Sequence, residues 1–295
     1  MPRSPLEHKT PTLRHYQSYT ARDWKVYLHP EFPEALADLV VVNSDTFQRA
    51  GFEAVAASPF AKVYRGTAET AEHTYRLYLK HYLYRSPIDI AKHLFRSSRA
   101  MRSFRAAALL NERGLSCPVV VAVGLRRPLV TGVPLLNRLP FCWTSTTLTL
   151  SVEGAHPLQE YWWNHLDTPS KKRAFLEALG TEIGYMHSQR IAHGDLRPGN
   201  IYVEEEPQGW RFWLLDNERT RRFRRVPAAL IVKNLVQVRL FIHDVTQTDR
   251  ARFFRAYLRQ HPMSRPAQLR LARDVLRKTA QREAQRTHRL GSSAI

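Results

Sequence analysis

His193-Gly194-Asp195-Leu196-Arg197-Pro198-Gly199-Asn200-Ile201-Tyr202-Val203 is the stretch on which the reading of the chain turns. An Asp stands five residues before an Asn, just after a His and just before an apolar Ile-Tyr-Val strand. A second Asp, Asp216, closes the next apolar run, Phe212-Trp213-Leu214-Leu215. Phosphoryl transfer needs a carboxylate that orients the attacking hydroxyl and oxygen ligands that hold magnesium. One short loop and one strand end supply both. Asp195 is the candidate proton acceptor, and Asn200 and Asp216 are the candidate metal ligands. Arg197 stands where a cation would offset charge on the transferring group. His193 is expected to buttress the loop.

The segments around this loop give it context. Ser170 to Gln189 reads as a long helix before it, with Ser170 as N-cap and Phe175, Leu179, Ile183 and Met186 on one face. Pro157 to Asn164 reads as a shorter helix. Upstream, Phe52–Ala56, Lys62–Gly66 and Thr74–Tyr82 read as three strands, aromatic-rich and separated by turn residues. Ala57 to Lys62 is expected as the loop joining the first two, with Ser58 as its candidate phosphate contact. Lys80 sits near the end of the third strand, where kinase-like enzymes place the lysine that meets the nucleotide α- and β-phosphates. Ser97 to Arg113 has helical spacing with Gly114 as its stop, and its one acid, Glu112, stands at the helix end. A strand follows at Val119–Val123, then a Pro/Arg-rich turn at Arg126-Arg127-Pro128, then a further strand pair ending near Thr146–Leu150. A short helix is expected over Pro33 to Val40, and residues 1 to about 20 are expected to be loosely ordered.

The fold class expected is therefore α+β and bilobal. Residues 1–50 form an N-terminal extension, partly ordered with a short helix. Residues 51–152 form a small antiparallel-sheet lobe with one main helix that binds nucleotide. Residues 153–295 form a larger, mostly helical lobe for catalysis and acceptor binding. Glu153, at the junction, is a candidate nucleotide contact.

Charge sets a further bound. Lys plus Arg number 45 against 26 Asp plus Glu, a formal net charge of +19. Such a field attracts polyanions, but no zinc spacing or helix motif points to nucleic acid, and none is expected as a partner. Residues 250 to 289 hold twelve Lys or Arg and two acids. The two cysteines, Cys117 and Cys142, have no metal-like spacing and fit a reducing compartment. The start lacks the apolar core of a signal peptide, and no apolar run nears the roughly 20 residues that span a bilayer. A cytoplasmic location is expected, with peripheral contact to an anionic inner-membrane face.

The chain resembles the lipopolysaccharide core kinase (Kdo/WaaP) family. The resemblance rests on Tyr78-Leu79-Lys80-His81-Tyr82, on Arg99 to Ala107 running into Arg113-Gly114-Leu115-Ser116-Cys117-Pro118, and on Val152-Glu153-Gly154-Ala155. Its most specific parts are His193 to Ile201 and Leu214-Leu215-Asp216-Asn217-Glu218-Arg219-Thr220-Arg221. It runs from about residue 50 to 260. The resemblance implies a protein-kinase-like fold and ATP- and magnesium-dependent phosphorylation of a Kdo or heptose hydroxyl in the lipopolysaccharide inner core. It implies Lys80 as the ATP lysine, Asp195 as the catalytic Asp, and Asn200 and Asp216 as the Mg2+ ligands. ATP and an anionic glycolipid or saccharide acceptor would be the partners; the residues say nothing of oligomeric state. The first loop has no glycine, and no helical Glu stands where it would pair with Lys80. Small-molecule kinases, atypical protein kinases and catalytically retired kinase-like binding proteins share such loops. The joint presence of Lys80, Asp195, Asn200 and Asp216 argues against the last.

Overall fold

Short aromatic and β-branched runs between turns build one antiparallel sheet in the first half of the chain, and amphipathic helices dominate the second. The computed structural model describes residues 9–21, 23–41, 51–58, 61–70, 73–84, 89, 96–126, 142, 144–239 and 245–292, without the side chains of 56–58 and 286–292. It divides into two compact units, Met1–Glu153 and Gly154–Ile295.

In the first unit, strands β1 (Gln17–Ala21), β2 (Trp24–Leu28), β3 (Glu53–Ser58), β4 (Ala61–Glu69), β5 (Thr74–Tyr82), β6 (Val120–Arg126) and β7 (Thr144–Leu150) form a seven-stranded sheet. Its order is β1-β2-β6-β7-β5-β4-β3, antiparallel at every junction. Because strand side chains alternate between faces, register decides what each face carries. Tyr64, Leu79, Leu148, Ala122 and Leu28 lie opposite one another across five strands. All are buried, in one core with Leu36 and Ala37 of helix α1 (Ala35–Asp38). The neighbouring row, Val63, Lys80, Thr147 and Val123, faces the other way. Helix α2 (Arg99–Glu112) packs on β6 and β7. Ser98 caps it, its hydroxyl accepting from the Met101 amide at 3.2 Å, and Gly114 follows it at φ +72°. The three strands expected between residues 52 and 82 and the α2 helix are thus present.

Three readings differ. The segment to about residue 20, expected to be loose, supplies most of β1, which joins the sheet through β2 and β6. Ala57, Ser58, Ala61 and Lys62 belong to strands rather than a loop, and only Pro59 and Phe60 separate the paired Ser58 and Ala61. Arg126 is a strand residue, ion-paired with Asp23 at 2.5 Å; the turn and partner strand expected after it fall outside the described residues.

The second unit contains β8 (His156–Pro157), α3 (Leu158–Asn164), α4 (Pro169–Ser188), β9 (Ile191–Ala192), β10 (Ile201–Glu206), β11 (Gly209–Leu214), β12 (Arg221–Arg222), α5 (Ala228–Arg239), α6 (Gln247–Gln260) and α7 (Arg265–Ser292). The long helix expected before the loop is α4, and Phe175, Leu179, Ile183 and Met186 are buried on it. Its N-cap is Thr168, not Ser170. The Thr168 hydroxyl accepts from the Lys171 amide at 3.2 Å, and Pro169 takes the first helical position, where its missing N–H costs nothing. α4 packs most extensively on α6. A Cβ on Gly180 would lie 2.4 Å from the Phe253 carbonyl oxygen, and one on Gly184 2.5 Å from that of Tyr257, so the two backbones meet without intervening side chains. α7 packs on α5, burying Leu271 while Leu269 and Leu276 face outward. Among the described residues no helix is long and apolar enough to cross a membrane.

Two titratable groups of the second unit oppose each other. Burial pushes the Glu182 carboxyl on α4 from 4.5 up to about 7. Burial pushes the His187 imidazole from 6.5 down to about 4. Glu182 stabilises the fold as a neutral acid, and that contribution is lost as pH rises from about 4.5 through 7. His187 stabilises it as a neutral base, and that contribution is lost as pH falls from about 6.5 through 4. The slopes cancel over the shared window. Glu182→Gln is expected to leave stability unchanged near pH 5 and to raise it by roughly 2 kcal/mol at pH 8. Thermal or urea denaturation at both values checks this; an equal change at the two would show that the carboxyl is not held neutral.

Candidate functional site

The loop after β9 is held from three directions. His193 is fully buried. Its Nδ1 accepts from the Asp195 amide at 3.1 Å, which leaves Nε2–H to donate to the Leu215 carbonyl at 2.9 Å. Burial lowers its pKa against the opposing pull of the Leu215 carbonyl, Asp216 and Asp195. It is a neutral strut that ties the loop to the end of β11.

Asn200 supplies the second tie. Its Nδ2 donates to the Asp195 carbonyl at 2.8 Å, while its own carbonyl accepts from the Leu215 amide at 2.9 Å. The amide nitrogen being committed, Oδ1 is the end that remains to meet a cation. Asp216 follows Leu215 in the left-handed conformation, φ +55° and ψ +51°, which Asp tolerates better than most residues. The Asn217–Arg219 turn after it is locked by Asn217, whose Nδ2 donates to the Leu214 carbonyl at 2.7 Å. An amide oxygen and a carboxylate suit a hard divalent ion whose shell is completed by phosphate oxygens and water. Among the described residues no group of three or more His, Cys, Asp or Glu could hold a metal unaided.

Helix α5 provides the third tie, which sequence reasoning missed. Lys233 Nζ donates to the Gly194 carbonyl. Asn234 Nδ2 donates to the His193 carbonyl at 2.6 Å, and its Oδ1 accepts from His187 Nε2 at 3.1 Å. Gln237 reaches Asp195 and Leu196. The three fall within one turn on one side of the helix. The available signal was polar residues, Asn234 and Gln237, on an otherwise apolar helical stripe of Leu235, Val236 and Val238.

Gly194 is where the loop meets the turn. A Cβ there would lie 2.0 Å from Arg219 Cβ and 2.8 Å from its carbonyl oxygen, so only glycine lets the two segments approach this closely. Arg197 pairs with the Asp195 carboxylate; its own side chain is 66 % exposed and that of Asp195 19 %.

Asp195, Arg197 and Asn200 are therefore joined directly, and Asp216 is reached through Leu215 and His193. The other three predicted residues lie in the first unit. Lys80 Nζ stands 5.2 Å from the centroid of the Tyr82 ring. Glu153 pairs with Arg76 at 3.6 Å, four residues before Lys80 on β5 and thus about 13 Å along the strand. Ser58 ends β3, and its side chain lies outside the described residues. Glu112 pairs with Arg113 at 3.2 Å at the end of α2.

The model of the lipopolysaccharide kinase (Kdo/WaaP) family matches residues 53–257. The chain belongs to that family. Two 3-deoxy-D-manno-octulosonic acid kinases of Haemophilus influenzae, from strains PittEE and Rd, are each 27% identical over 120 residues, 41% of this chain and 44% of theirs. The match thus spans under half the length of these curated relatives. The solved structure of WaaP in complex with acyl carrier protein superposes with a TM-score of 0.58 at 20% identity, covering 85% of this chain and 97% of that one. The fold is shared with WaaP. In the His193-Gly194-Asp195 stretch of this chain the Gly194–Arg219 contact gives the glycine a physical reason.

Proposed function

We propose that this chain is a sugar kinase of the lipopolysaccharide core that transfers the γ-phosphate of ATP to a hydroxyl of 3-deoxy-D-manno-octulosonic acid, with magnesium. The observation that carries the reading is the fixed geometry of Asp195 and Asn200, held to one another through the Asp195 carbonyl, in a chain of this family. Asp195 orients the acceptor hydroxyl and takes its proton. Arg197 lies over the same carboxylate, close enough to turn to the transferring phosphoryl group. Asn200 Oδ1 and the Asp216 carboxylate would hold magnesium, which screens the phosphate charge when bound. Lys80 would contact the α- and β-phosphates, with Ser58 and Glu153 as further nucleotide contacts, the first unit serving as nucleotide lobe and the second as catalytic lobe.

The choice of this sugar over heptose follows the named relatives and the chemistry of the acceptor, which carries a carboxylate. β12 pairs with β9 immediately before the loop, and Arg221 and Arg222 on it are exposed. Cations there would raise the local concentration of an anionic acceptor. Lipid-linked acceptors would place the protein at the cytoplasmic face of the inner membrane, as a peripheral protein drawn by charge.

Incubation with γ-labelled ATP, magnesium and lipid A bearing the octulosonic acid is expected to label the saccharide. Label on a heptose-bearing core alone would move the assignment to heptose, and no label on any core saccharide would overturn it. Neutralising Arg221, Arg222 and Arg224 together is expected to raise the acceptor KM by about 10-fold or more at low salt, with ATP KM near wild type. An unchanged acceptor KM would remove these arginines from the acceptor site.

A further inference from the structure

Among the described residues, Gln237 is the one side chain other than Arg197 that the hydrogen bonds place on the Asp195 carboxylate. Its Nε2 donates to Asp195 Oδ1 at 2.5 Å, and its Oε1 accepts from the Leu196 amide at 3.1 Å. The amide cannot be turned over, because the reverse orientation would set its oxygen against a carboxylate and its NH2 against an N–H. Gln237 is itself 6% exposed and sits on α5, a helix that also grips the carbonyls of His193 and Gly194. Arg197 holds the other oxygen, Oδ2, from a largely exposed position. One carboxylate oxygen thus has a buried, doubly bonded partner, and the other an exposed, ionic and exchangeable one.

We infer that Gln237 is a positioning residue that fixes which carboxylate oxygen of Asp195 meets the acceptor: Oδ1 stays on Gln237, and Oδ2 is the atom that receives the hydroxyl proton. This rests on the kinase reading above. The terminal torsion of Asp is broad and nearly two-fold, so without a fixed partner the two oxygens would exchange and the carboxylate would lose its aim. In the transfer step the acceptor oxygen bonds to the γ-phosphorus, the bond from that phosphorus to the β–γ bridging oxygen breaks, ADP leaves, and the hydroxyl proton moves to Oδ2. Arg197 must leave Oδ2 first, and the arriving phosphoryl charge gives it somewhere to go. ATP binding then opens the base for the acceptor, while Gln237 keeps it from turning. Acceptor affinity should therefore be higher with nucleotide bound than without.

The test compares wild type, Gln237→Leu and Gln237→Glu for transfer to the octulosonic acid acceptor. Gln237→Leu keeps the bulk and removes both hydrogen bonds. It is expected to lower kcat roughly 10- to 100-fold, the scale of a misplaced catalytic group, with ATP KM unchanged. Gln237→Glu can donate to Oδ1 only when protonated, so its kcat, relative to wild type, should recover as pH falls. A helix-packing role alone would show neither the selective kcat loss nor the recovery. The crystal structure of Gln237→Leu supplies a readout independent of turnover: the Asp195 carboxylate should leave its present plane. Wild-type kcat in the leucine variant, or an Asp195 carboxylate that stays in place, would overturn the inference. Absence of transfer by wild type would instead fault the acceptor assignment, leaving the crystallographic arm to decide the role of Gln237.

Discussion

Replacing Gly194 with alanine is expected to reduce turnover about 100-fold and to destabilise the second unit by roughly 1–3 kcal/mol. The added methyl would overlap Arg219 Cβ at 2.0 Å, with the Arg219 carbonyl oxygen 2.8 Å and carbonyl carbon 2.9 Å away. These are largely backbone-anchored atoms, so rotation of a flexible chain end does not relieve the clash. Arg219 cannot retreat freely, because the Asn217–Arg219 turn is tied by Asn217 to Leu214 and by the Thr220 amide to the Asn217 carbonyl at 2.9 Å. The loop cannot retreat freely either, because α5 holds the carbonyls of Gly194 and His193. Whichever side yields, Asp195 and Asp216 separate. Activity and thermal unfolding of the purified variant check this; wild-type values for both would show that the contact relaxes without cost.

Asp195→Asn is expected to have the larger effect on chemistry and the smaller one on structure. Removing a positioned proton acceptor costs roughly 100- to 10,000-fold in rate. The substituted amide keeps the volume and an oxygen for Gln237, while the backbone bonds from Asn200 and to His193 do not involve the side chain at all. Nucleotide binding by calorimetry should therefore survive while labelled phosphate transfer disappears. Transfer within a few fold of wild type would deny Asp195 its role as proton acceptor, and loss of nucleotide binding would show that the substitution had disturbed more than the base.

The parts of this molecule that could be read from the chain are those whose signal is local. Thr74–Lys80 alternates buried residues with exposed or half-buried ones along the strand, and α4 repeats Phe175, Leu179, Ile183 and Met186 on one face. Spacing alone brought Asp195, Arg197 and Asn200 together, because a loop of so few residues leaves little freedom. β1 escaped because an edge strand with every residue at least partly exposed has no alternation to detect. The cap of α4 was misplaced by two residues although Pro169 marked the first turn. Gln237 escaped for a different reason: it lies 42 residues from Asp195, and a glutamine on an apolar helix has no motif. Its meaning comes only from tertiary contact. The same holds for Gly194, whose need for a missing side chain is set by Arg219.

The attachment of the loop to α5 also predicts how the protein breathes. The Leu196 amide is buried and bonded to Gln237, and the chain of contacts continues from Asn234 through His187 to Tyr257 on α6, at 3.1 and 3.0 Å. Loop amides ordinarily exchange their protons with solvent through small local openings. Here the loop can open only if it parts from α5, so the Leu196 proton should exchange with deuterium on the slow timescale of the helices, through cooperative unfolding rather than fraying. The residues proposed to act on substrate would then be among the last of the second unit to come undone.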